Sequence, residues 1–215
     1  MDFDASLALE LARLSALAYN SSTIVGARTD TEILQVDTPG RRVFACRGTV
    51  ASNARNWFTD FDVDQVPLEN NAAARVHHGF MKASDEVFQS VLTLCQQTPA
   101  DTEIIFTGHS LGAALAHLLA LRLARMGVAI HCVYTYGCPR IGNSAWRDIY
   151  QMWLGQRTFR VYHASDAVPR MPWWLNQWLH IAMGYQLGKW RPFQGLHEHH
   201  IDEYITFLQL SASAQ

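Results

Sequence analysis

The chain is 215 residues long, 49% hydrophobic and 17% charged, with a formal net charge of −2, which suits a single domain over residues 1–215 that buries roughly 70% of its unfolded surface. No basic block points to a nucleic-acid partner, and no transmembrane segment is expected, because Arg122 and Arg125 interrupt the most apolar stretch well short of the roughly 20 residues a spanning helix needs. Asp2 and Asp4 stand where a secretory signal carries basic residues, so the expected location is cytoplasmic.

Leu7, Leu11, Leu14 and Ala18 follow helical spacing and predict an amphipathic helix over 4–19, ended by Asn20-Ser21-Ser22. Short strands follow near 23–28, 31–37 and 42–47, with Thr38-Pro39-Gly40 as the turn of an antiparallel hairpin at a sheet edge. From residue 79 onward the pattern alternates: helix 80–97, strand 103–107, helix 110–126, strand 129–136, helix 143–154, strand 157–163. Such alternation implies right-handed crossovers, hence an α/β fold with a mostly parallel central sheet, helices on both faces and an antiparallel N-terminal edge. A last amphipathic helix is expected over 198–210. Cys46, Cys95, Cys132 and Cys138 lie in apolar runs without a Cys-x-x-Cys pair, which predicts buried free thiols in a reducing compartment. A Cys132–Cys138 bridge is disfavoured, since the extended run between them holds their Cα atoms apart.

The most informative stretch is Gly108-His109-Ser110-Leu111-Gly112, set between the apolar strand and an alanine- and leucine-rich helix. A serine on a sharp strand-to-helix turn flanked by glycines is the pattern of a nucleophile elbow. Its hydroxyl becomes nucleophilic only if a histidine takes its proton and a buried carboxylate holds that histidine in one tautomer. In folds built on such an elbow the chain order is serine, acid, histidine. Of the downstream acids Asp148, Asp166, Glu198, Asp202 and Glu203, Asp148, Asp202 and Glu203 fall in predicted helices, whereas Asp166 follows strand 157–163 in a loop at the sheet's carboxyl edge and is the expected acid. His163 precedes that acid and His180 sits in a strand-like run, so the base is sought among His197, His199 and His200. Their spacing is not that of a zinc site, and no metal or organic cofactor is expected. The oxyanion donors are expected to be the N–H of Leu111 and Thr49, which follows Gly48 at the end of strand 42–47.

Five ordered segments resemble the class 3 lipase family, the fungal-lipase-like branch of the α/β-hydrolases. They are Phe44-Ala45-Cys46-Arg47-Gly48-Thr49 with Asn56-Trp57-Phe58-Thr59-Asp60, then Val76-His77-His78-Gly79-Phe80, the elbow itself, Tyr134 to Asn143, and Arg160 to Pro169. The resemblance implies a serine carboxylic ester hydrolase on acylglycerols or other lipid esters, with Ser110 as nucleophile, Asp166 as acid, and Thr49 and Leu111 as oxyanion donors. It also selects His199 as base, because His199-His200-Ile201-Asp202-Glu203-Tyr204 is similar to the family's His-x-Ile/Met-x-x-Tyr. Asp60 is implied to brace the oxyanion loop, and Val50 to Phe58 to form a lid. The fungal members carry a signal peptide and disulfides; this sequence shows neither, so secretion is not carried over. Met171 to Leu179 holds Trp173, Trp174 and Trp178, which either pack beside the sheet or meet an acyl chain or a lipid–water interface. A soluble-ester or feruloyl-type esterase, an acyltransferase and a catalytically silent binding protein are the alternatives, the last disfavoured because every site segment is present in order.

Overall fold

The computed structural model describes residues 1–48, 64–69, 71–172, 177–181, 183–192, 195 and 197–212. Helix α1 (Ala5–Leu17) begins at Asp4, whose carboxylate accepts from the N–H groups of Ser6 and Leu7. Strands β1 (Ile24–Gly26), β2 (Thr31–Thr38) and β3 (Arg41–Cys46) run antiparallel, as the hairpin reading predicts. A separate two-stranded hairpin, β4 (Gln65–Leu68) and β5 (Asn71–His77), leads into helix α2 (His78–Gln96). Then come β6 (Glu103–His109), helix α3 (Leu111–Arg125), β7 (Ile130–Tyr136), helix α4 (Ser144–Leu154), β8 (Thr158–His163), β9 (Gly184–Leu187) and helix α5 (Ile201–Ala212). The seven-stranded sheet has the order β1-β2-β3-β6-β7-β8-β9, and every pair from β3 onward is parallel.

Alternation along the strands sorts side chains into two cores. Phe44 and Phe106 are register partners with ring centroids 5.1 Å apart, and they face α2, α3 and α4. Their chain neighbours Val43 and Ile105, also register partners, face α1 and α5 together with Tyr134 and Val161. Helix α3 is buried nearly all round between the sheet, α2 and α4, which explains its almost unbroken run of alanine and leucine.

Two elements depart from expectation. The β4–β5 hairpin has little β propensity in Asn71-Ala72-Ala73-Ala74 and carries Pro67. Tertiary contacts hold it: at its turn Glu69 takes a φ of +49° and its carboxylate bonds Arg122 and Arg125 at 2.9 and 2.8 Å. Strand β9 lies beyond His180, not around it, and exists because its short backbone pairs with β8, Arg160 opposite Gly184 through His163 opposite Leu187. All four cysteines are buried and free, as predicted.

A Cβ on Gly112 would lie 2.1 Å from the carbonyl oxygen of Cys46. Gly112→Ala is therefore expected to cost about 3 kcal/mol or more, the upper range for overpacking, read as a lowered urea midpoint. Acid lability has a separate source. His117 bridges Tyr150 (2.8 Å) and Thr135 (3.0 Å) in the core, and burial holds it well below its ordinary pKa. Burial, with Arg160 nearby, holds His180 at about 3. Below about pH 6.5 the unfolded chain takes up protons at both sites and the folded chain does not, so stability falls with pH by up to about 1.4 kcal/mol per unit for each histidine. Urea unfolding between pH 7.5 and 4.5 should show that slope, reduced by His117→Gln.

Candidate active site

Ser110 is forced into its position by its neighbours. It takes φ +59° and ψ −126°, a conformation rare for any residue with a Cβ. Its N–H donates to the carbonyl of Tyr136 at 2.9 Å, and a Cβ on Gly108 would lie 2.4 Å from the oxygen of Gly112, so strand end and helix start meet backbone to backbone. Leu111 opens α3, and its N–H is among the first four that a helix leaves without a carbonyl partner. The positive end of the helix dipole thus lies beside the serine.

Three polar side chains form a line. Ser110 Oγ is 2.8 Å from His199 Nε2, and His199 Nδ1 is 2.8 Å from Asp166 Oδ2. A carboxylate only accepts, so Nδ1 carries the imidazole proton and Nε2 is free to accept from the Ser110 hydroxyl. Asp166 follows β8 in a turn where its N–H donates to the carbonyl of His163 at 3.1 Å. It is buried and receives two further donors: the N–H of Val168 on Oδ1 at 2.8 Å and the hydroxyl of Tyr204 on Oδ2 at 2.5 Å. Burial and the Asp166 charge push the Tyr204 pKa well up, so the phenol keeps the proton it donates. The same oxygen accepts from the N–H of His163 at 3.2 Å, which ties α5 to the end of β8.

A second line holds the histidine-bearing loop. His109 Nε2 lies 2.6 Å from the carbonyl of His199, and His109 Nδ1 lies 2.8 Å from the Tyr19 hydroxyl. The carbonyl can only accept, so Nε2 is the protonated nitrogen and Tyr19 donates to Nδ1. Burial, and then the neighbouring His199, hold His109 well below its ordinary pKa and keep it neutral. Gly137, at φ +60°, underlies the imidazole: a Cβ there would fall 3.0 Å from both Asp166 Oδ2 and His199 Nδ1.

Tyr19 was not singled out from sequence, and Tyr204, His109 and Gly137 entered only as positions within the family-like segments, with no role assigned. The available signals were a glycine after a buried strand, a tyrosine just past the first helix and the tyrosine that ends the His199–Tyr204 segment. Of the other histidines, His197 has a side chain 66% exposed and His200 is exposed, both turned away from the line. His163 is buried against Glu198, and His180 bonds the carbonyl of Pro169. Trp178 is wholly buried near the His77 ring and packs as core. Thr49, the expected lid 50–58, Asp60, Trp173 and Trp174 lie outside the described residues.

The family model described as Lipase (class 3) matches residues 43–176. Among relatives, the secreted mono- and diacylglycerol lipase 1 of Fusarium solani is 32% identical over 181 residues, covering 80% of this chain and 52% of its own. The secreted mono- and diacylglycerol lipase A of Penicillium cyclopium is 32% identical over 175 residues, 78% of this chain and 54% of its own. The chain therefore spans about half the length of these curated relatives. A solved triacylglycerol lipase whose catalytic centre is described as a serine protease triad superposes with a TM-score of 0.76 at 24% identity, over 86% of this chain and 80% of that one, and shows the shared fold. Relatives named as secreted overturn the cytoplasmic expectation. The free thiols that suggested a reducing compartment reflect packing instead, since all four sit in apolar surroundings where burial raises their pKa. With a family match over more than half its residues and that level of identity along four-fifths of its length, this chain belongs to the class 3 lipase family.

Proposed function

We propose that the chain, read as one domain over residues 1–215, is a serine carboxylic ester hydrolase that acts on lipid esters, acylglycerols foremost, through an acyl-enzyme. The observation that carries this reading is the unbroken line Ser110 Oγ, His199 Nε2, His199 Nδ1, Asp166 Oδ2, with both contacts at 2.8 Å. The mono- and diacylglycerol lipases among the relatives support the substrate class.

In this mechanism His199 Nε2 takes the Ser110 proton as Oγ attacks the ester carbonyl. The developing oxyanion is met by the N–H of Leu111 and the positive end of α3. Thr49 serves as second donor on the strength of its place after Gly48 at a strand end and of the family resemblance. The imidazolium, steadied by Asp166, then protonates the leaving alcohol, and a water activated by the same nitrogen releases the acid. No step requires a metal or organic cofactor. Tyr204 is a positioning residue: it fixes Asp166 and so the plane of His199. Trp190, 62% exposed next to Arg191, whose N–H bonds Ser165 Oγ, supports peripheral contact with a lipid–water interface on this rim.

Ser110→Ala is expected to lower kcat by on the order of 10⁵ while leaving the unfolding midpoint nearly unchanged. Hydrolysis of p-nitrophenyl esters from acetate to palmitate and of an emulsified monoacylglycerol measures it; a variant that keeps most of its turnover reassigns the nucleophile. Tyr204→Phe removes one hydrogen bond to a buried carboxylate, worth roughly 1.5–3 kcal/mol. It is expected to lower kcat about tenfold, move the acid limb of the pH profile and leave KM unaltered. An unchanged pH profile would make Tyr204 a packing residue only.

A further inference from the structure

Asp166 also borders a cavity of about 260 Å³ lined by Arg140, Arg160, Arg170, Tyr162, His180 and Gly184. Ligand sites typically occupy roughly 300–1,000 Å³. The cavity is therefore near the small end of that range, and its charged lining suits a polar headgroup and not an acyl chain.

Arg160 is the unusual member. It is only 7% exposed, yet its one protein hydrogen bond among the described residues runs from Nε to the carbonyl of Ile181 at 3.0 Å. Its terminal nitrogens border the cavity, where a Cβ on Gly184 would come within 2.9 Å of Nη2. Among the described residues Arg140 and Arg170 bond only the carbonyls of Pro172 (3.3 Å) and Ala164 (2.8 Å). Among the described residues none of the three has a carboxylate ion-pair partner. Burial lowers the pKa of Arg140 and of Arg160, and the charge of Arg140 lowers that of Arg160 further.

Asp166, the one acid in the lining, spends its oxygens on His199, Tyr204 and the N–H of Val168. His180 is neutral, because its pKa is held at about 3. The lining thus carries a surplus of two positive charges. A buried guanidinium without an anion is strongly unfavourable, since desolvation is not repaid.

We propose that this cavity is a binding site for a phosphate group. Three guanidinium groups come from three places, the loop after β7, strand β8 and the turn after Asp166, and surround one space. A tetrahedral phosphate offers an oxygen to each and carries the matching charge, whereas a carboxylate has one charge and two oxygens. The Tyr162 ring, also in the lining, has its centroid 5.8 Å from the guanidinium carbon of Arg160.

The test is calorimetric titration of the purified chain with sodium phosphate and, separately, with dihexanoyl phosphatidate below its micelle concentration, each at constant ionic strength in chloride. Binding with a dissociation constant below about 1 mM, weakened at least tenfold, or ~1.4 kcal/mol, by Arg160→Gln, is the expected result. Arg140→Gln, at a partly exposed position, should weaken it likewise and keeps the test valid if Arg160→Gln does not fold. Equal affinity for both ligands identifies a free-phosphate site; preference for phosphatidate identifies a lipid headgroup site. Heat from neither ligand overturns the proposal and leaves the arginines as counter-charges to Asp166 alone.

Discussion

The Ser110 backbone sits in a region that costs a non-glycine residue on the order of 1–3 kcal/mol, and the rest of the architecture serves to hold it there. The means is close backbone approach: Gly108 against Gly112, and Gly112 against the carbonyl of Cys46, leave no space for a relaxed turn. Since Cys46 ends β3 and Gly108 lies within β6, the strain is borne by two parallel strands and the buried helix α3 together. A serine so placed has its hydroxyl fixed by the fold and not by its own rotamer alone.

Asp166 plays the corresponding part on the other side of the site. Its three donors come from its own turn, from the loop before α5 and from α5 itself, so docking of the last helix and orientation of His199 are one event. The His109 bond to the His199 carbonyl adds a second tether. Polar groups this deeply buried are expected to be fully paired, and pairing them from separate elements specifies one arrangement of the loop. The arginine-lined cavity borders the same residue.

Much of this was legible in the residues. Helical and strand periodicities gave most elements to within a few positions, because strands buried on both faces and an all-apolar helix leave strong patterns. The β4–β5 hairpin and β9 were not legible. Their segments are Ala-rich or only four residues long, and what holds them is contact with α3 and β8, which lie far away in sequence. His180, read as part of a strand, instead caps a carbonyl beside the arginine cavity.

The sequence by itself determined the elbow, since only glycine-serine-glycine spacing between such a strand and helix permits that turn, and it placed Asp166 at a strand's carboxyl end. It did not decide among His197, His199 and His200 by residue pattern; resemblance alone favoured one. The tertiary structure decides it physically: a turn closed by the His200 N–H on the His197 carbonyl at 3.1 Å sends neighbouring side chains in different directions. The docking of α5 through Tyr204, with the His109 bond to the His199 carbonyl, fixes which of them meets Ser110. The order of donors around a buried carboxylate is a property of distant segments brought together, and no local pattern encodes it.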